Sequence, residues 1–239
     1  MQNMVAESME GFVKPTMNIT RLSLNYKGLP YRTEWIEYPD LKPTLEALGV
    51  PPNDKDTNPN ASYSSPVVRM PDGAYIMDSL KIATALEKLQ PEPSLHLNNG
   101  YIDRVQTIVL DIMKGLGPNI YPLIPKHVLP QSSAEYFSET RAKRFGMPLP
   151  ELAKSDKAGE TAWSSARPAI ERLGEVLGER KEGPYLMGTT VSFADFVVAG
   201  FFRFVEVLDQ ELFGRLVGMD KGFGMHYEAC KEWLERDSR

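Results

Sequence analysis

The chain has 239 residues, 42% of them apolar and 25% charged, with a net charge of −5 and a single cysteine, Cys230. That length allows one large or two compact domains, and the composition excludes chain-wide disorder, a collagen-like repeat and a membrane bundle. No dense Lys/Arg block exists to neutralise phosphates, so no nucleic-acid partner is expected.

One cysteine rules out an intrachain disulfide and a Cys-rich metal site, and His96, His127 and His226 are scattered, so no metal is expected. The longest apolar run, 196–202, is too short to cross a bilayer, so no membrane partner is expected either. No basic segment followed by a hydrophobic core opens the chain, which points to the cytoplasm.

Residues 1–15 are polar and weakly patterned, and they read as loose. The series Ile19, Leu22, Leu24, Tyr26 predicts a short amphipathic helix stopped by Gly28. Residues 32–38 alternate and are rich in β-formers, which predicts a strand broken by Pro39-Asp40. A short helix over 42–48 follows, then a Pro/Asn/Asp loop over 51–62. Strands over 65–70 and 74–77 flank the turn Pro71-Asp72-Gly73 and form an antiparallel hairpin. A helix begins at Asp78-Ser79 and runs to Leu89. These ninety residues make an α/β unit with a mixed sheet that lacks a first strand.

Residues 90–94 read as a linker, and the rest is helical. Helices are predicted over 101–116, around 134–145, over 152–177 with a disturbance at Pro168, over 192–213 and over 225–234. The 192–213 segment is apolar nearly all round and belongs in the core.

Three local patterns carry information. Ser65-Pro66 stands where a cis-proline would expose the preceding backbone to an extended peptide; a strand-edge proline is the plain alternative. Asp78-Ser79 opens a helix whose unpaired N–H groups and the Ser79 hydroxyl suit a carboxylate, with Asp78 facing an ammonium; plain capping is the alternative. Ser192 and Asp195 form a capping-box-like pair with Val191 and Phe196 as staple, a structural device without chemistry.

In this order the three patterns resemble the glutathione transferase superfamily. A narrower stretch, Thr20-Arg21-Leu22-Ser23-Leu24-Asn25-Tyr26-Lys27-Gly28 with Glu37-Tyr38-Pro39-Asp40-Leu41-Lys42-Pro43-Thr44-Leu45, is similar to the fungal etherase-like branch, which includes enzymes of fungal secondary metabolism. The resemblance covers roughly residues 15–236. It implies an α/β thioredoxin-like N-terminal domain over 1–90, a linker over 91–97 and an all-α C-terminal domain over 98–239. It further implies glutathione as cofactor, with Ser65 and Pro66 meeting its cysteinyl part and Asp78 and Ser79 its γ-glutamyl part. Lys42 would meet the glycyl carboxylate or be a solvated helix residue. The implied partners are a hydrophobic small-molecule electrophile and a second copy of the chain.

The chain departs from the family at the start of the first helix. Members of this type read Ser-Pro-Asn there, and this chain reads Lys14-Pro15-Thr16. The thiolate is the reactive form of a thiol, and a hydroxyl, a cation or a helix N-terminus stabilises it. Thr16, Asn18 and Lys14 are therefore the candidate thiol activators, with helix capping as the alternative role. The electrophile pocket is expected between the domains near Ile120 and Tyr121, which equally suit the core.

The leading expectation is a transferase that activates the glutathione thiol for attack on a hydrophobic electrophile. The alternatives are a glutathione-dependent trans/cis double-bond isomerase and a non-catalytic binding or regulatory protein with the same fold.

Overall fold

The computed structural model describes residues 4–8, 15–54 and 61–235, with side chains from residue 18 onward. The first part of the chain folds as β1 (Met4–Ser8), α1 (Pro15–Tyr26), β2 (Tyr31–Trp35), α2 (Tyr38–Ala47), β3 (Val67–Arg69), β4 (Tyr75–Met77) and α3 (Ser79–Leu89). The four strands form one sheet in the order β2-β1-β3-β4. β1 runs parallel to β2, with Val5 opposite Arg32, and antiparallel to β3, with Ala6 opposite Val68. β3 and β4 are the expected hairpin, with Val68 opposite Ile76.

The expectation of a loose start lacking a first strand is corrected here. Residues 4–8 form an inner strand hydrogen-bonded on both sides, and that pairing outweighs weak local propensity. β2 also ends sooner than expected, and α2 begins sooner, at Tyr38. Pro39 falls in the first turn of α2, where a missing N–H has no intrahelical partner to lose.

The remaining elements are α4 (Ile102–Gly115), α5 (Gly117–Ile120), α6 (Ile124–His127), α7 (Gln131–Phe145), α8 (Leu149–Leu152), α9 (Glu160–Leu177), α10 (Phe193–Leu208), α11 (Gln210–Val217) and α12 (Lys221–Leu234). Two expected helices are divided. Over 152–177 the break ends at Gly159, whose φ of 62° is left-handed. Asn119 clamps that glycine, accepting from its N–H at 2.7 Å and donating to its carbonyl at 3.1 Å. α9 then runs through Pro168 without interruption. Over 192–213 the helix ends at Leu208, because Asp209 turns extended and its carboxylate caps α11 by accepting from Leu212 N–H at 2.7 Å.

α10 is the centre of the core. Phe193, Phe196, Phe201, Phe202 and Phe204 on it are buried and join α1, α4 and α12 in one apolar cluster. The sheet alternates as a pleat requires: Val67 faces that cluster, while Val68 packs with Leu24, Tyr31, Met70, Ile82 and Leu86 on the other face.

A buried polar knot starts α10. The Ser192 N–H and hydroxyl both donate to Asp195 Oδ2 at 2.8 Å, and Leu186 N–H donates to Oδ1 at 2.8 Å. His226 Nε2 of α12 lies 3.1 Å from the same Oδ1. The connection after α3 is held by Lys27, whose buried ammonium bonds Glu87 and the carbonyls of Gln90 (2.6 Å) and Pro93 (2.9 Å). Among the described residues, no helix is long and apolar enough to cross a membrane, and no cluster of His, Cys, Asp and Glu could hold a metal.

Candidate functional site

The site is built where the hairpin hands over to α3. Asp78 has φ 89° and ψ 128°, a conformation an ordinary side chain rarely adopts. Two sets of bonds hold it there. Its Oδ1 accepts from the N–H groups of Leu80 (3.0 Å) and Lys81 (3.1 Å), and its own N–H donates to Pro66 O (3.3 Å). The Ser65–Pro66 peptide is cis, so the proline turn and the helix cap are one connected corner.

Within that corner Ser79 is mostly buried. Asp78 occupies the N–H groups of Leu80 and Lys81, so the donors left at the N-terminus of α3 are the Ser79 N–H and hydroxyl. No described residue accepts from either, and none bonds Asp78 Oδ2. A carboxylate set there meets two donors and the positive end of an eleven-residue helix. An ammonium on the same ligand meets Asp78 Oδ2. The corner thus has the polarity to read an amino-acid end group.

The other expected residues fall in different surroundings. Lys42 is exposed on α2, with Glu46 one turn on at 3.8 Å. Lys14 and the Thr16 side chain lie outside the described residues, although Thr16 belongs to the first turn of α1. Asn18 is buried, and its amide donates to Gly200 O of α10 at 3.1 Å. Ile120 is fully buried in the core. Tyr121 is half-buried, stacked on Phe137 with ring centroids 6.2 Å apart and meeting Phe145 edge-on at 5.0 Å. The structure therefore brings Ser65, Pro66, Asp78 and Ser79 together and commits the Asn18 amide to holding α1 on α10.

Cys230 is buried, and burial pushes its thiol well above the ordinary range, with Asp195 and Glu232 adding to the effect. It is filling, not a nucleophile. Sequence reasoning missed the contact between α2 and α7. There the Glu37 carboxylate accepts from the hydroxyls of Ser132 (3.0 Å) and Ser133, and Ser133 Oγ accepts from Tyr38 N–H at 2.9 Å. The pair Ser132-Ser133, directly after Pro130-Gln131, was the available signal, since it puts hydroxyls in the first turn of a helix.

Residues 15–89 match the glutathione S-transferase N-terminal domain, and residues 105–233 match the glutathione S-transferase C-terminal domain. The chain belongs to the glutathione S-transferase family. Its sequence is 35% identical over 231 residues to the glutathione S-transferase-like protein ustS of Aspergillus flavus, covering 90% of this chain and 82% of that protein. Among solved structures, glutathione transferase GSTFuA2 from Phanerochaete chrysosporium superposes with a TM-score of 0.82 at 26% identity, covering 99% of this chain and 100% of that one. A glutathione S-transferase of Ceriporiopsis subvermispora, solved in complex with glutathione, has a TM-score of 0.84 at 23% identity, covering 97% and 98%. The α/β sheet domain with a cis-proline, followed by helices, is thus the thioredoxin-like plus all-α arrangement of this transferase family.

Proposed function

We propose that the protein is a glutathione-dependent transferase acting on a hydrophobic electrophile. The observation that carries this reading is the α3 corner: cis Ser65–Pro66, left-handed Asp78, and a Ser79 whose N–H and hydroxyl no described residue uses.

Glutathione would supply a nucleophilic sulfur there for attack on an electrophilic carbon. Ser79 holds the γ-glutamyl carboxylate through its N–H and hydroxyl, and Asp78 Oδ2 holds the neighbouring ammonium. The Ser65 backbone meets the cysteinyl part beside Pro66, and exposed Lys42 swings to the glycyl carboxylate. The thiolate is held by the first turn of α1, through Thr16 and the helix N-terminus, with Lys14 adding positive charge. Asn18 keeps that turn seated on α10.

The aromatic wall around Tyr121 suits an apolar or conjugated acceptor. With a conjugated alkene as acceptor, addition followed by elimination converts trans to cis and needs no further catalytic group. The reading includes a homodimer, in keeping with exposed Leu89 and Leu110 on α3 and α4, and residence in the cytoplasm.

Calorimetric titration with reduced glutathione tests the reading. We expect wild-type protein to bind and Ser79→Ala to bind at least about tenfold more weakly, because a charged hydrogen bond is lost. No heat from folded wild-type protein refutes the enzyme and favours a non-catalytic binding role.

A further inference from the structure

We infer that Glu37 and Ser133 are positioning residues for glutathione, acting through α2. The inference rests on the proposed glutathione site. Its physical basis is a hydrogen-bonded clasp between the starts of two helices, α2 and α7.

α7 begins after Pro130, which has no side chain able to cap it. An anion from elsewhere stands beside that start, held by side chains of the first turn. The Glu37 carboxylate sits at the first turn of α7, accepting from the hydroxyls of Ser132 (3.0 Å) and Ser133. Negative charge at a helix N-terminus is favourable.

In the other direction the bond reaches a backbone N–H. Glu37 occupies the N-cap position of α2 but makes no side-chain cap bond to α2. The first N–H of α2, at Tyr38, instead donates to Ser133 Oγ at 2.9 Å. Ser133 is fully buried, so its one hydroxyl both donates to Glu37 and accepts from Tyr38. Remove it, and both helix starts lose a partner at once.

The rings around the clasp extend the connection. Tyr38 stacks on Tyr136 at 6.1 Å and meets Phe137 edge-on at 5.8 Å. Phe137 in turn stacks on Tyr121. So α2, which carries Lys42, is tied to the helix that forms the aromatic wall. Docked α2 holds Lys42 ready for the glycyl carboxylate, and undocked α2 does not. Apparent affinity falls in proportion to the docked fraction.

The test compares two ligands. Glutathione has the glycyl carboxylate, and γ-glutamylcysteine lacks it. For Glu37→Gln and Ser133→Ala we expect glutathione affinity and KM to weaken by about tenfold, as expected when a charge-assisted hydrogen bond that favours the docked state is lost. Binding of γ-glutamylcysteine should stay at the wild-type value. So should kcat at saturating glutathione and the acid limb of the pH–rate profile. Ser133→Thr keeps the hydroxyl and should restore affinity, and the double variant should lose no more than the worse single one.

Equal glutathione binding by wild type and Glu37→Gln overturns the inference, and so does an equal loss for both ligands. Glu37→Gln keeps this decisive should Ser133→Ala fail to fold. Absence of binding by the wild-type protein is a separate outcome, and it removes the glutathione reading itself.

Discussion

Truncating Asp195 to alanine removes the acceptor for four buried groups: the Ser192 N–H and hydroxyl, the Leu186 N–H and the His226 ring. Asp195 and Ser192 are fully buried and His226 nearly so, which leaves the stranded donors little access to water. A buried donor left unpaired costs about 1–3 kcal/mol, so the two backbone amides alone give a loss centred near ~4 kcal/mol. Set against a typical total of about 5–15 kcal/mol, that is a large fraction of the fold's stability. For a chain of this size it lowers the thermal midpoint by roughly 8–16 °C.

Urea denaturation followed by far-ultraviolet circular dichroism measures the loss. Asp195→Asn keeps the shape and one carbonyl acceptor, so it should fall between alanine and wild type. A loss for Asp195→Ala below about 1 kcal/mol would show that these bonds contribute no more than ordinary exposed ones, and would refute the reasoning.

Three more outcomes follow from other parts of the molecule. A Cβ at Gly115 would stand 2.7 Å from the Ala166 backbone where α4 crosses α9, so Gly115→Ala should cost about 1–3 kcal/mol in the same urea assay. The single thiol, Cys230, should resist an aqueous thiol reagent in native protein and react fully in denaturant, because it is buried and its thiol is raised. Burial alone would raise the Glu87 carboxyl, but bonds from Lys27, Leu95 N–H and Ser94 together with the Lys27 charge take it below its ordinary 4.5. A carboxylate with a lowered folded value stabilises above its unfolded value and stops doing so as pH falls through the folded one. Stability should therefore drop as pH falls below 4.5, and Glu87→Gln should flatten that part of the pH–stability curve.

Features written locally were readable from the sequence. The Pro71-Asp72-Gly73 turn, the Asp78-Ser79 helix start and the Ser192/Asp195 pair each depend on neighbours a few residues away, and each is found. β1 was not readable, because its partners are residues 31–35 and 67–69, and pairing on both sides needs no strong local pattern. The helix breaks at Gly159 and Asp209 were missed for a related reason. Asn119 clamps the first from forty residues away, and the apolar run continues through the second. Asn18 stands close to the helix start in sequence, yet it lies a full turn along α1 and faces α10. The Glu37 clasp joins residues nearly a hundred positions apart, so no window of sequence contains it.

The two halves of the candidate site rest on different physics, and that separates binding from chemistry. The α3 corner is built from backbone and two short side chains: a cis peptide, a positive-φ residue held by its own carboxylate cap, and an N–H beside a hydroxyl. Under the proposed reading, the polarity of that corner toward an amino-acid end group does not depend on residues 14–16. Thiol activation is a side-chain matter, and there Lys14-Pro15-Thr16 departs from the hydroxyl-bearing pattern of the family type it resembles. A thiol titrating near 8.5 is only about 3% thiolate at pH 7, whereas one lowered to about 7 is half ionised, a gain of roughly sixteenfold. Loss of an activator therefore removes at most about that factor from the reactive fraction and, by linkage, weakens binding at pH 7 only about twofold. A variant that keeps the corner and loses the activator, Lys14→Ala with Thr16→Ala, should bind glutathione nearly as well as wild type and react with an apolar acceptor more slowly at neutral pH. That rate should climb with pH toward 8.5, as the thiolate forms without help.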